Sequence, residues 1–155
     1  MKGNPRKAKA ARVENELANK LWEMGYAVIR GPSSGSGVRR RIHPDIVAIK
    51  KGVTLVIEVK IGHPGKPVYI NKRQANRLTE FAERAGGKAL IAVKIPGKGW
   101  RLHEITKLQQ TKKENLKIDD PTHGGLNPTQ LDEILFPKTK KITQYLKENK
   151  QGPVA

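Results

Sequence analysis

Two β-rich runs, Asp45-Ile-Val-Ala-Ile-Lys50 and Val53-Thr-Leu-Val-Ile-Glu-Val-Lys60, are joined by only Lys51-Gly52, and nothing else in the chain constrains its fold as tightly. A two-residue X-Gly link between such runs predicts a tight hairpin. With Lys51-Gly52 as the turn, Lys50 pairs with Val53, and Asp45 falls opposite Glu58 with Cβ atoms about 5 Å apart. Side chains alternate along a strand, so Glu58 and Lys60 share one face while Leu55, Ile57 and Val59 point to the other. Two carboxylates and an ammonium are thereby gathered on one patch within otherwise apolar strands.

Carboxylates at that spacing repel unless a cation lies between them or one takes up a proton. A hard divalent ion satisfies both, and Mg²⁺ commonly binds through one or two carboxylates plus water and phosphate, with Mn²⁺ as a substitute. The Val59 carbonyl is a candidate further ligand, and Lys60 is placed to hold a scissile phosphate or a water nucleophile. The bland reading is a solvated sheet face with a cross-strand Lys–Glu pair. The Pro44-Asp45 start, the Glu58-x-Lys60 end and their register favour a site. Glu14 is a possible third acid: on a helical wheel it lies about 55° from the middle of the apolar stripe, against about 105° for Glu16. It is either a site residue leaning over the sheet or an ordinary helix-surface acid, whereas Glu16 is expected to pair with Lys20 at i+4 in solvent.

Charge points to the partner. The chain has 31 Lys+Arg against 14 Asp+Glu in 155 residues, a net charge of +17. Such a field attracts polyanions, above all nucleic acid. A thermophile surface would raise Glu along with Lys, and here acids are outnumbered two to one. The absence of cysteine excludes disulfides and thiolate metal sites. No apolar run approaches the ~20 residues of a membrane span and no secretory signal is seen, so a soluble, cytoplasmic, nucleoid-associated protein is expected, with no membrane partner.

Apolar spacing predicts a helix over about Ala10–Met24 stopped by Gly25, then a short strand Tyr26–Arg30. Residues 31–43 form a Gly/Pro/Ser loop ending in Arg39-Arg40-Arg41, expected to be flexible. Beyond the hairpin follow a short strand Val68–Ile70 and a helix capped by Asn71 and ended by Gly86-Gly87. Lys88–Ile95 reads as a buried-type strand, followed by a turn at Pro96–Gly99 and a strand Trp100–Ile105. After Lys107 only a short helix from Asn127-Pro128 to Phe136 stands out. The order αββ(β)αββ implies an α/β fold with a mixed central β-sheet flanked by α-helices. We divide the chain into a core, residues 1–106, and a C-terminal extension of the same domain, residues 107–155, with a polar basic tail.

Pro44-Asp45 and Glu58-Val59-Lys60, preceded by a helix acid, resemble the PD-(D/E)XK core of restriction-endonuclease-like nucleases. Within that group the stretch from Lys9 to about Ile105 resembles the archaeal Holliday-junction resolvases, through Val13–Leu17, Gly25–Arg30, Pro32–Ser36, Pro44–Lys50, Phe81–Arg84 and Ile91–Lys94. The resemblance implies a metal-dependent endodeoxyribonuclease that resolves four-way DNA junctions by paired symmetric cuts, acting as a homodimer in recombination and repair. It assigns Glu14, Asp45 and Glu58 to the metal site, Lys60 to catalysis, Ser34 to a role in activity with Ser33 as its rival, and Arg30 to a position beside the site. The chain departs from the family where an Arg commonly follows the helix acid: Asn15 stands there.

Junction shape is expected to be read through phosphate contacts. Candidates are Lys7, Lys9, Arg12, Arg30, Arg39, Arg40, Arg41, Lys66, Lys72 and Arg73; the Arg39–Arg41 run could equally be solvated. His43, His63, His103 and His123 lack zinc-ligand spacing, and no Gly-rich element resembles a phosphate loop, so no nucleotide cofactor is expected. Trp22 and Trp100 are assigned to core or dimer contacts. The alternatives are a sequence-specific restriction-type endonuclease and a non-catalytic DNA-binding module; the latter should have lost Asp45, Glu58 or Lys60.

Overall fold

The computed structural model describes residues 3–32, 43–138, 146–147 and 149–150. Serines 33 and 34, Arg39–Arg41 and most of the predicted flexible loop lie outside the described residues, as does most of the basic tail. The fold is α/β: a five-stranded mixed sheet flanked by helices.

Helix α1 runs Pro5–Glu23, starting five residues earlier than the apolar spacing indicates. The Asn4 side chain accepts a hydrogen bond from the Arg6 amide and proline opens the first turn, so the start is set by capping chemistry rather than by an apolar face. Strand β1 is Ala27–Arg30, β2 Ile46–Lys50 and β3 Val53–Ile61. The β2–β3 hairpin has the predicted register, Lys50 against Val53 through Ile46 against Ile57. Lys51 and Gly52 both have positive φ, 47° and 80°, the twist that a two-residue hairpin requires.

Strand β4 (Val68–Ile70) leads into α2 (Lys72–Ala85), where the Asn71 side chain accepts from the Gln74 amide and Gly86 closes the C-terminus in the left-handed region. Strand β5 (Lys88–Ile95) pairs parallel with β3, and β6 (Gly99–Glu104) antiparallel with β5, giving the order β1-β2-β3-β5-β6. At its centre, β3 and β5, the main sheet is buried on both faces, whereas Ile29 and Ile49 leave one face of the β1–β2 edge exposed. Leu55, Ile57, Leu90 and Ala92 pack with Val13, Leu17 and Leu21 of α1, and Val56, Ile91 and Val93 pack with Ala75, Leu78 and Ala82 of α2.

Beyond Lys107 the chain is more ordered than its sequence indicates. Strands β7 (Gln109–Gln110) and β8 (Leu116–Ile118) join β4 in a second sheet of order β4-β8-β7 that buries Val68, Ile70 and Ile118. Helix α3 (Pro128–Leu135), capped reciprocally by Asn127 and Gln130, packs on the α1 side through Leu131. Its Asp132 accepts from the Tyr26 hydroxyl at 2.8 Å and from Lys50 Nζ at 2.9 Å, fastening the helix to the hairpin. Among the described residues no helix is long and apolar enough to cross a membrane.

One local expectation is corrected. Glu16 does not pair with Lys20; it takes an ion pair from Lys94 on β5 and a hydrogen bond from Trp100 Nε1, because the face of α1 that carries it turns toward the β5–β6 hairpin. Of the two tryptophans expected in core or dimer contacts, Trp100 is buried in the core and Trp22 is 66% exposed, which leaves it the dimer alternative.

Candidate active site

The site is built where β2, β3 and the start of α2 meet. Glu58 and Lys60 lie on the face of β3 that carries Val56, toward α2, while Leu55, Ile57 and Val59 face α1, as strand alternation dictates. One position beyond the Ile46–Ile57 pair, Asp45 stands against Glu58, and its carboxylate accepts a hydrogen bond from the Val59 amide at 2.8 Å. The approach of the chain to Asp45 is fixed by Gly31, whose amide donates to the Asp45 carbonyl at 2.9 Å; a Cβ there would lie 2.1 Å from the Pro44 oxygen, so no other residue fits.

Electrostatics mark this pair. Burial pushes Glu58 up to about 7, and the Asp45 charge adds to it; burial likewise raises Asp45, with its Val59 hydrogen bond opposing. The carboxyls are close enough to share a proton, and Lys60 lowers both. Half-buried acids that resist ionising together form a donor set that a divalent cation relieves, so the residues present fit a hard metal ion.

Glu14 is held differently. Its carboxylate takes an ion pair from Arg30 at 2.7 Å, and the same guanidinium donates to Asn15 Oδ1 at 2.6 Å. Glu14 still acts through space on Asp45 and Glu58. Among the described residues, however, no three His, Asp or Glu side chains are gathered closely enough to hold a metal by themselves. The structure thus brings together Asp45, Glu58 and Lys60, and sets Glu14 beside them on Arg30.

Gln74 is the residue that sequence reasoning missed. Lys60 Nζ donates to its Oε1 at 3.2 Å, linking the site lysine to the first turn of α2. The signal was present: Gln74 precedes Leu78 and Ala82 by one and two turns, a polar side chain on the helix's buried stripe. Lys66, Lys72 and Arg73 are exposed around the same end of α2, and Lys7, Lys9 and Arg12 are exposed on α1. His43 and His63 are exposed loop residues flanking the site, while His103 is buried on β6.

A mixed sheet with flanking helices and an Asp/Glu/Lys cluster at the β2–β3 hairpin defines a restriction-endonuclease-like fold. The chain belongs to the archaeal Holliday junction resolvase family, whose model matches residues 5–142. It is 43% identical over 145 residues to the crossover junction endodeoxyribonuclease Hjc of Sulfurisphaera tokodaii, covering 92% of this chain and 96% of that one. The protein of the same name from Sulfolobus acidocaldarius is 36% identical over 141 residues, or 90% and 95% of the two chains. The solved structure of Archaeoglobus fulgidus Hjc, a Holliday junction resolvase, superposes with a TM-score of 0.67 at 34% identity, over 78% of this chain and 98% of that one.

Proposed function

We propose that this protein is a structure-specific endodeoxyribonuclease that resolves four-way DNA junctions by metal-dependent hydrolysis of opposed phosphodiesters. The observation that carries this reading is the half-buried Asp45–Glu58 pair with Lys60 on the same strand face. Family membership supplies the substrate class, since relatives covering nearly the whole chain bear the name crossover junction endodeoxyribonuclease.

Asp45 and Glu58 would hold the ion, Mg²⁺ or Mn²⁺, with the Val59 carbonyl as a further oxygen ligand and Glu14 as an outer acid once Arg30 turns to DNA. Such an ion, when bound, neutralises charge developing on the phosphate and makes water a stronger nucleophile. Lys60 carries the positive charge that meets the scissile phosphate, and Gln74, a neutral acceptor, orients that ammonium without cancelling its charge. Ser34, with Ser33 as its rival, is assigned a role in activity, and Arg39–Arg41 are assigned to DNA engagement.

A four-way junction has approximate two-fold symmetry, which a C2 homodimer matches with two equal sites. Exposed Ile29 and Ile49, on one face of the β1–β2 pair, are the apolar surface such pairing would cover.

The test is a gel assay with labelled four-way junction and linear duplex, each in Mg²⁺ and in chelator. Paired symmetric nicks on the junction in Mg²⁺ only are expected. Equal cutting of linear duplex would point to a general or restriction-type nuclease, and tight binding without cutting to a non-catalytic module.

A further inference from the structure

The second sheet has an outer face that the catalytic account does not use. Val68 and Ile70 of β4 point inward, so Tyr69 between them points out and is 55% exposed. Its register partner on β8 is Lys117, and Gln109 of β7 lies beyond that, so the three form one row across the sheet. The Lys117 ammonium sits 6.0 Å from the centre of the Tyr69 ring.

The surroundings are strongly basic. Residues 63–73 and 107–119 hold seven Lys or Arg and two acids. Both acids are already engaged, Glu114 with Lys72 and Asp119 with Lys117, whereas Lys66, Arg73, Lys112 and Lys113 make no ion pair among the described residues. A tyrosine on the solvent face of an antiparallel strand needs no ligand by itself. Here it is one of two exposed aromatic side chains among the described residues, and it lies within a field of cations beside the site. The chain from Tyr69 to Gln74, which touches Lys60, is five residues and spans at most about 18 Å. With the reach of both side chains and the Gln74–Lys60 hydrogen bond added, the ring lies within about 30 Å of Lys60 Nζ, or about nine nucleotides at about 3.4 Å per nucleotide along a strand.

We propose that this face is a stacking platform: Tyr69 receives a base exposed at the DNA branch point, while Lys66, Arg73, Lys112 and Lys113 hold the adjoining phosphates. The inference rests on the junction-resolving reading above and adds to it a source of selectivity. In linear duplex both faces of every internal base are covered by neighbours. Stacking is interrupted at a branch point, and a ring beside the cleavage site then has a face to meet. Base–aromatic stacking is tolerant of sequence, which suits an enzyme that reads shape.

The experiment measures the affinity of the full-length protein for a four-way junction and for linear duplex of the same arms, in Ca²⁺, with the parent, Tyr69→Phe and Tyr69→Ala. A preference of the parent for the junction is established first; if there is none, the junction-resolving reading fails and this proposal with it. Given that preference, Tyr69→Ala should lose about tenfold in junction affinity with little change on linear duplex, and Tyr69→Phe should behave as the parent. A junction carrying 2-aminopurine at the branch point gives a second readout. Its emission change on binding should survive in Tyr69→Phe and vanish in Tyr69→Ala. Retained junction affinity in Tyr69→Ala, or equal losses on both DNAs, overturns the platform while leaving the resolvase reading intact.

Discussion

Replacing Glu58 by glutamine should make the metal-free protein more stable at pH 8, although it removes a site residue. Burial, then the neighbouring Asp45 charge, moves Glu58 from 4.5 up to about 7. A carboxyl raised in the folded state contributes stability below its unfolded value and loses it as pH rises through the folded value. The window is therefore from 4.5 to about 7, and ionisation across it removes about 3 kcal/mol at about 1.4 kcal/mol per pH unit. Glutamine has nearly the same shape, stays neutral throughout, and its amide can donate to Asp45 as the protonated carboxyl does. For a chain of this size about 3 kcal/mol corresponds to roughly 6–12 °C in Tm. Calorimetric melts in EDTA should show parent and Glu58→Gln together at pH 4 and the variant higher by that amount at pH 8, with Mg²⁺ restoring part of the parent's loss. A difference of the same size at both pH values would refute the claim that the acid pair is held against ionisation.

Gln74→Ala should slow single-turnover junction cleavage by up to about a hundredfold with unchanged junction affinity, because it frees Lys60 from its one side-chain acceptor on α2. Asp132→Ala removes the acceptor shared by Tyr26 and Lys50, and should destabilise by about 2 kcal/mol in urea unfolding while leaving cleavage of bound junction intact. Ile29→Glu, on the exposed face of β1, should convert a dimer to a monomer in sedimentation experiments and turn paired cuts into single nicks; an unchanged sedimentation coefficient would place the interface elsewhere.

What the sequence made legible was local. Hairpin register follows from a two-residue link and strand alternation, so the Asp45–Glu58 juxtaposition could be worked out without coordinates. The caps of α2 and α3 are written in Asn71, Gly86 and Asn127-Pro128. What escaped depends on distant partners. Leu116-Lys117-Ile118 is too short to show a period, and it becomes a strand because it pairs with β4, from which α2, β5 and β6 separate it. Glu16 chose Lys94 over nearby Lys20 for the same reason: tertiary packing outweighed an i+4 pair that contributes only about 0.3–0.5 kcal/mol. Gln74 likewise acquires its role only when α2 docks against β3.

The central claim is that Asp45 and Glu58 serve cleavage, by holding the ion that acts on the scissile phosphate, while affinity comes from basic contacts spread over the surface. It is tested most directly by measuring binding and single-turnover cleavage of one labelled four-way junction, in the same Mg²⁺ buffer, with Asp45→Asn. The account predicts junction affinity within about threefold of the parent, because many phosphate contacts remain, and cleavage slower by at least about a thousandfold. Near-parental cleavage by Asp45→Asn would contradict it.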